Sequence, residues 1–375
     1  MKSNYRYIVK AFMAMAVIAG TTSCDDFLDR EPMSSISPET YYSTAAQLEA
    51  NLNDEYPNVL PSFGQWTYGI FGEDKGTDNQ IEVNANDRYT QDRWKVPHSE
   101  SDNWKFERIY RINFFLSEAL PKFGEDMSGS QNTISGSVAT IKHYIGEMYF
   151  LRAYEYFKKL QLFGDFPIIN QPLADEMEAL REASKRFPRN EVARFIISDL
   201  DKAYAYMSDV DMATTRINKD VAMLVKSRVA LFEATWLQNF KGTAFVPGGE
   251  GWPGASLHNN YQYPSGNIDN EVKYFLEQAV EASKLVADKY KGSLTENTGV
   301  LQQSADDPSN PYFDMFAQED LSDVKEVLLW RQYARGLSTH NINAAAGRGN
   351  YRIGLTRGFV QNFLMKDGTP VYAHG

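Results

Sequence analysis

Apolar residues recur every three to four positions in six stretches of the chain, the spacing that places side chains on one face of a helix. The first stretch runs from 41 to 60, with Leu48, Leu52 and Tyr56 in phase and Pro57 as its expected end. The second runs from 103 to 120, with Ile109, Ile112, Leu116 and Leu120 in phase and Pro121 expected to close it. The third, 137–162, carries Ile141, Ile145 and Met148, and Gly164 and Pro167 end it. Gly146 and Ala153 lie seven apart in it, small enough to admit a neighbouring helix. The fourth spans 191–207, with Val192, Ile196, Leu200 and Ala203 in phase and Asn190 as candidate N-cap. The fifth, 219–237, carries Val221, Val225, Val229 and Phe232 behind an Asn218 cap. The sixth, 270–290, carries Val272, Phe275, Leu276, Ala279 and Val280. Taken in order, these segments predict an all-α fold of helical hairpins, similar in outline to tetratricopeptide repeats but with irregular spacing.

The intervening stretches lack that period. Residues 61–100 mix Gly, Pro, Asp and Asn with Trp66, Tyr68, Phe71, Tyr89 and Trp94, and predict long loops. A second irregular stretch, 240–266, is rich in glycine, proline and aromatic rings. A loop of that length inside a domain is either functional or a packed cover. The continuous apolar run within 324–333 (EVLLWRQY) predicts one buried strand, and Asp367-Gly368 predicts a turn.

The N-terminus has a different pattern. Lys2, Arg6 and Lys10 precede a short apolar run, Ala11 to Ala19, and then Thr21, Thr22, Ser23 and Cys24. A membrane span needs roughly 20 apolar residues, so residues 1–23 read as a secretory signal peptide. Cys24 is the only cysteine and is followed by Asp25 and Asp26. This arrangement resembles a bacterial lipobox, with Cys24 lipidated as the mature N-terminus and 24–40 as a polar tether. Residues 41–375 then form the helical domain. A lone cysteine leaves no disulfide framework.

Composition narrows the function. Hydrophobic residues make up 43% of the chain, ordinary for a globular protein. The net charge of −11 argues against nucleic acid, which demands a basic face. Aromatic residues reach 13%, and many fall in the loops rather than on helix stripes. Ring faces in loops suit the C–H faces of sugars, with Asn, Asp and Arg reading the hydroxyls. Trp66, Tyr68 and Trp94 in the first loop, and Trp252, Tyr261 and Tyr263 in the second, either contact ligand or pin the loops to the helices. Tyr333 and Tyr351, after the predicted strand, are the further ligand candidates.

Catalytic patterns do not emerge. The five histidines form no HExxH pair, and neither GxSxG nor a Walker A sequence occurs. Gly347-Arg348-Gly349 has Arg352 where a dinucleotide fingerprint needs glycine. A glycosidase pair of carboxylates cannot be named among 49 acidic residues. The acidic stretch 72–82 departs from the EF-hand ligand order and reads as a polar loop. No cofactor and no metal are expected.

Particular blocks carry a family resemblance. They are CDDFLDREP from Cys24, DNWKFERIYRINFFLSEAL from Asp102, and GEMYFLRAYEYFKKLQLFGDFPII from Gly146. PRNEVARFIISDLDKAYAYM from Pro188 and INKDVAMLVKSRVALFEATWL from Ile217 complete them. The chain resembles the SusD/RagB family of Bacteroidetes outer-membrane lipoproteins. The resemblance implies tetratricopeptide-like hairpins with long irregular loops carrying the ligand face. It also implies a surface-exposed, lipid-anchored, non-catalytic protein. Such a protein captures glycan and delivers it to a TonB-dependent (SusC-like) transporter. In some branches the ligand is a peptide or another nutrient. A late R-x-A-E-x-x-L-x-x-A-E segment typical of the family is absent, so the resemblance implies a C-terminally truncated sequence. An enzyme acting on glycans is the alternative of another class.

Overall fold

The computed structural model describes residues 41–375, apart from 64–73, 83–90, 92–102, 125, 209–211, 301–303, 305, 338, 341, 343–352 and 375. The long helices are α1 (Ala45–Val59), α2 (Glu107–Phe123), α3 (Val138–Phe163), α5 (Arg189–Tyr206), α6 (Lys219–Asn239) and α7 (Ile268–Tyr290). Short helices α4 (Met177–Ala183), α8 (Pro311–Met315) and α9 (Arg357–Gln361) lie in the connections. A two-stranded antiparallel ladder pairs β1 (Gln80–Glu82) with β2 (Ile353–Leu355), Gln80 opposite Leu355. The fold is therefore all-α in outline, with long irregular connections. No helix among the described residues is long and apolar enough to cross a membrane.

Helix α3 is the hub. It packs against α1, α2 and α5, while α5 packs on α6 and α6 on α7. Its buried residues lie on every face, including Glu147, Arg152, Glu155 and Lys159. A helix enclosed on all sides shows little one-sided stripe. Its buried charges are paired, as buried charges must be. Arg152 donates two hydrogen bonds to Asp199 of α5, at 2.6 and 2.8 Å, and a third to Asn113 Oδ1 of α2 at 2.9 Å. Gly146 has the purpose its spacing suggests. A Cβ there would lie 2.8 Å from Met207 N and 2.9 Å from Ala203 O, so only glycine lets α5 approach this closely.

The helix termini divide into local and tertiary cases. Asn218 caps α6, accepting from Val221 N at 3.1 Å. Gly164, with φ +68°, ends α3. Pro57 and Pro121, however, sit inside the last turns of α1 and α2. A proline forfeits its own N–H but not those that follow it. Gly124 N still donates to Leu120 O, and fully buried Phe123 holds the final turn of α2 in the core. Asn190 is not a cap. Helix α5 starts one residue earlier, at Arg189, and Asn190 is buried. Its amide donates to Glu271 of α7 at 3.0 Å, and its oxygen accepts from the Tyr261 hydroxyl at 3.1 Å.

The run 324–333 forms no strand. Beyond local turns, its backbone partners come from Thr214 and from Asn218, the cap of α6. Trp330 N donates to Thr214 O at 3.1 Å, its indole N–H to Thr214 Oγ1 at 2.8 Å, and Asn218 donates to Leu328 O at 2.9 Å. An apolar run becomes a strand only where another strand is available to pair with it. The Asp367-Gly368 turn forms as predicted, closed by Met365 N on Thr369 O at 2.8 Å.

Candidate functional site

Four parts of the chain converge on one cleft. Helix α1 contributes Tyr56 and Pro57, and the chain continues through Leu60 to Phe63. Helix α3 contributes Phe150 and Tyr154, and α6 contributes Val221 and Val225. The segment 329–333 closes the other wall. The enclosed volume is about 710 Å³, within the usual range for small-molecule sites.

The rings are held in place by polar contacts behind them. Tyr333 Oη accepts from Phe63 N at 3.0 Å, joining the two walls across 270 residues of chain. Phe63 and Tyr333 lie 6.0 Å apart between centroids at 47°, and His340 packs against both, at 5.3 and 4.6 Å. The Arg331 guanidinium stands 5.6 Å from the Tyr333 centroid. Arg331 and Gln332 are exposed on the cleft lining, while Trp330 and Tyr333 are half-buried. The cleft therefore combines aromatic faces with five guanidinium donors and an amide.

The floor rests on a buried ionic cluster. Tyr56 donates its hydroxyl to Glu147 at 2.9 Å and accepts from Ile217 N at 2.9 Å. Arg216 binds both Glu147 oxygens, at 2.9 and 2.6 Å, and its guanidinium carbon lies 5.4 Å from the Tyr56 ring centroid. Burial, and then the Glu147 carboxylate, hold the Tyr56 phenol well above its ordinary range. Tyr56 therefore stays neutral and acts as a donor.

Of the sequence candidates, the structure brings Tyr333 into this cleft. Cys24, Trp66, Tyr68, Trp94 and Tyr351 lie outside the described residues. Trp252, Tyr261 and Tyr263 of the 240–266 loop take the pinning role. The Trp252 indole donates to Asp165 at 2.8 Å, Tyr261 to Asn190, and Tyr263 to Pro247 O at 2.7 Å. Burial raises the Asp165 carboxyl above its ordinary range despite the Trp252 and Arg189 hydrogen bonds.

Sequence reading passed over Tyr56, Phe63, Trp330, Arg331 and Gln332 as ligand candidates. The available signal was the polar pair Arg331-Gln332 between two rings, which a buried strand would not tolerate unpaired. Among the described residues, no group of three His, Cys, Asp or Glu side chains is placed to hold a metal ion.

Comparison with known proteins places the chain. A SusD-like family model, described as starch-binding associating with outer membrane, matches residues 26–231. SusD-like protein P2 of Formosa agariphila is 25% identical over 253 residues, 64% of this chain and 46% of that protein. SusD-like protein P25 of the same organism is 25% identical over 233 residues, 57% of this chain and 41% of its own length. The chain thus spans less than half the length of these two relatives. A crystal structure of a SusD-like carbohydrate binding protein from Bacteroides fragilis superposes with a TM-score of 0.51. The match covers 88% of this chain and 55% of that one at 14% identity, a likeness of fold. With more than half of its residues matched by that one model, the chain belongs to the SusD-like family.

Proposed function

We propose that this protein binds a glycan in the cleft between Phe63, Trp330 and Tyr333, and delivers it to a TonB-dependent outer-membrane transporter. The observation that carries the reading is the cleft lining, where ring faces stand beside Arg331 and Gln332. Sugars offer apolar C–H faces to rings and hydroxyls to polar tips, and this lining supplies both. The family description, starch-binding and outer-membrane associated, supports the same class of ligand and the same location. The protein is a binder and not a catalyst. Pure protein incubated with its polysaccharide is expected to release no reducing ends above background.

The test is affinity electrophoresis against a panel of soluble polysaccharides, starting with soluble starch. Retention by at least one polymer is expected, with an affinity in the micromolar to millimolar range, roughly −8 to −4 kcal/mol. Tyr333→Ala and Trp330→Ala are each expected to weaken binding about tenfold, roughly 1.4 kcal/mol. Full retention by both variants would remove the cleft as the ligand site.

Anchoring rests on Cys24. A diacylglyceryl group and an amide-linked chain would place several acyl tails in the bilayer, at about 0.8 kcal/mol per buried CH₂. Cys24→Ala is expected to move the protein from the outer-membrane fraction to the soluble fraction, with loss of lipid labelling. The wild-type protein, extracted in detergent, is expected to bring down a large barrel transporter. An unlabelled variant that stays in the membrane fraction would contradict the anchor.

A further inference from the structure

The cleft does not account for the long loop 240–266. That loop closes a second cavity of about 620 Å³ at the C-terminal ends of α3 and α6. Gln161, Phe163, Arg186, Trp236, Phe245 and Leu257 line it. Phe245 is 61% exposed, Leu257 54% and neighbouring Leu162 58%. Singly exposed apolar residues are ordinary, but three converging on one cavity are not. The Arg186 guanidinium stands 4.6 Å from the Trp104 ring centroid, and no carboxylate among the described residues forms an ion pair with it. Asp165 faces the same cavity with both oxygens already engaged, by Arg189 N at 2.9 Å and the Trp252 indole at 2.8 Å.

The loop is built to hold this shape. A Cβ on Gly249 would fall 1.9 Å from Thr243 O, and one on Gly254 would fall 2.2 Å from the Trp252 ring. Both turns therefore need glycine to fold back this closely. Trp236 Nε1 donates to Phe245 O at 3.0 Å, fixing the backbone that presents the Phe245 ring.

The two cavities share two helices. The cleft touches α3 at Phe150 and Tyr154 and α6 at Val221 and Val225. The second cavity touches α3 at Gln161 and α6 at Trp236. At about 100° and 1.5 Å per residue, Tyr154 and Gln161 lie within roughly 20° of one face, about 10 Å apart along the axis. Val225 and Trp236 lie within roughly 20° of one face, about 16 Å apart. Residue number rises from the cleft to the second cavity in both helices, so α3 and α6 run in the same direction from one cavity to the other. The Phe157 and Phe232 rings meet midway, 5.6 Å between centroids.

We propose that the second cavity is a second saccharide subsite, and that one glycan chain lies along the α3–α6 seam across both. The proposal rests on the glycan reading of the cleft. It narrows the ligand to an oligosaccharide of several units, because the lining residues of the two cavities lie about 10–16 Å apart along α3 and α6. Phe245 supplies a ring face at the far end, and Arg186 and Gln161 supply donors to hydroxyls. Each subsite binds weakly. A chain tethered at one finds the other at high effective concentration, which multiplies affinity without any new contact.

The test compares a polymer with short oligosaccharides on the intact protein. The probes are soluble starch with maltose and maltoheptaose, or the corresponding polymer and oligomers for whichever panel member binds. The variants are Phe245→Ala with Leu257→Ala together and, separately, the surface change Arg186→Ala. Calorimetry is expected to find two disaccharides per wild-type protein and one per double variant, while the heptamer, long enough to bridge both subsites, binds once. Affinity for the polymer is expected to fall by about 100-fold, the lower end of an avidity effect. Affinity of the cleft for the disaccharide is expected to stay within about twofold. Tyr333→Ala, in contrast, should weaken both. Unchanged polymer affinity in the double variant and in Arg186→Ala, with one disaccharide per wild-type protein, would overturn the second subsite and leave the cleft standing. Failure of the wild type to bind any polymer would remove the glycan reading and this inference together.

Discussion

Replacing Arg216 by alanine is expected to destabilise the protein by about 3–5 kcal/mol, the usual cost of removing one partner of a buried ion pair. Glu147 is fully buried, and Arg216 is its bidentate partner. Without the guanidinium, the carboxylate keeps Tyr56 at 2.9 Å and His143 Nε2 at 3.1 Å, which do not supply a fixed positive charge. Arg216 also donates to Asn53 at 2.9 Å and stands 4.9 Å from the Tyr144 ring centroid, so α1 loses a contact as well. The melting temperature is expected to fall by on the order of 10 °C. Arg216→Lys should recover little, because an ammonium cannot reproduce the paired hydrogen bonds. Arg216→Met with Glu147→Leu should recover much of the loss, since apolar replacement of both partners removes the stranded charge. The effect should reach the ligand. Thr214, two residues away, carries Trp330 through two hydrogen bonds, and Tyr56 is itself on the cleft wall. In Arg216→Ala, glycan affinity is therefore expected to fall at temperatures well below the melting transition. An unchanged melting temperature would show that the cluster contributes no net stability.

The second large effect is expected from Trp252→Ala, at about 3–5 kcal/mol for a buried tryptophan. The ring is 5% exposed and packs 5.6 Å from Tyr261 and 5.9 Å from His258. Its indole N–H holds Asp165 Oδ2, which would lose its partner. The loss should centre on the 240–266 loop, because Trp252 is, with Val246, one of the loop's buried apolar side chains. Hydrogen exchange should show the amides of Thr243, Val246, Gly249 and Glu250 deprotected, since each is bonded within the loop. The amides of α3 should keep their protection. Trp252→Phe is expected to recover the packing but not the Asp165 hydrogen bond, for an intermediate result. Loss of protection spread evenly over α3 and the loop would show instead that Trp252 supports the whole domain.

The helices were legible because the information that makes them is local. Apolar residues at three- and four-residue spacing, Asn218 before α6 and Gly164 after α3 act within a few positions of themselves. The same reasoning reached the close approach at Gly146, since a small residue on a buried helix face has few other uses. It misjudged Asn190, whose residue type fits a cap but whose partners, Glu271 and Tyr261, lie about 70 to 80 residues away. It misjudged Pro121 because buried Phe123 outweighs a lost helix bond. It placed 324–333 in a sheet because an apolar run carries no record of whether a partner strand exists.

The site divides along the same line. Sequence alone determined an all-helical scaffold, the irregular aromatic stretch 240–266, and Tyr333 as a candidate. Only the tertiary structure decided which rings are buried as pins and which stay half-open on the cleft. Trp252 and Tyr333 both lie outside the predicted helices, and residue type does not tell their fates apart. One turns inward because Asp165 waits 87 residues earlier, and the other lines a cleft because Phe63 N holds its hydroxyl across 270 residues. Burial of a ring depends on where its polar tip finds a partner. Those partners are brought together by folding, not by spacing along the chain.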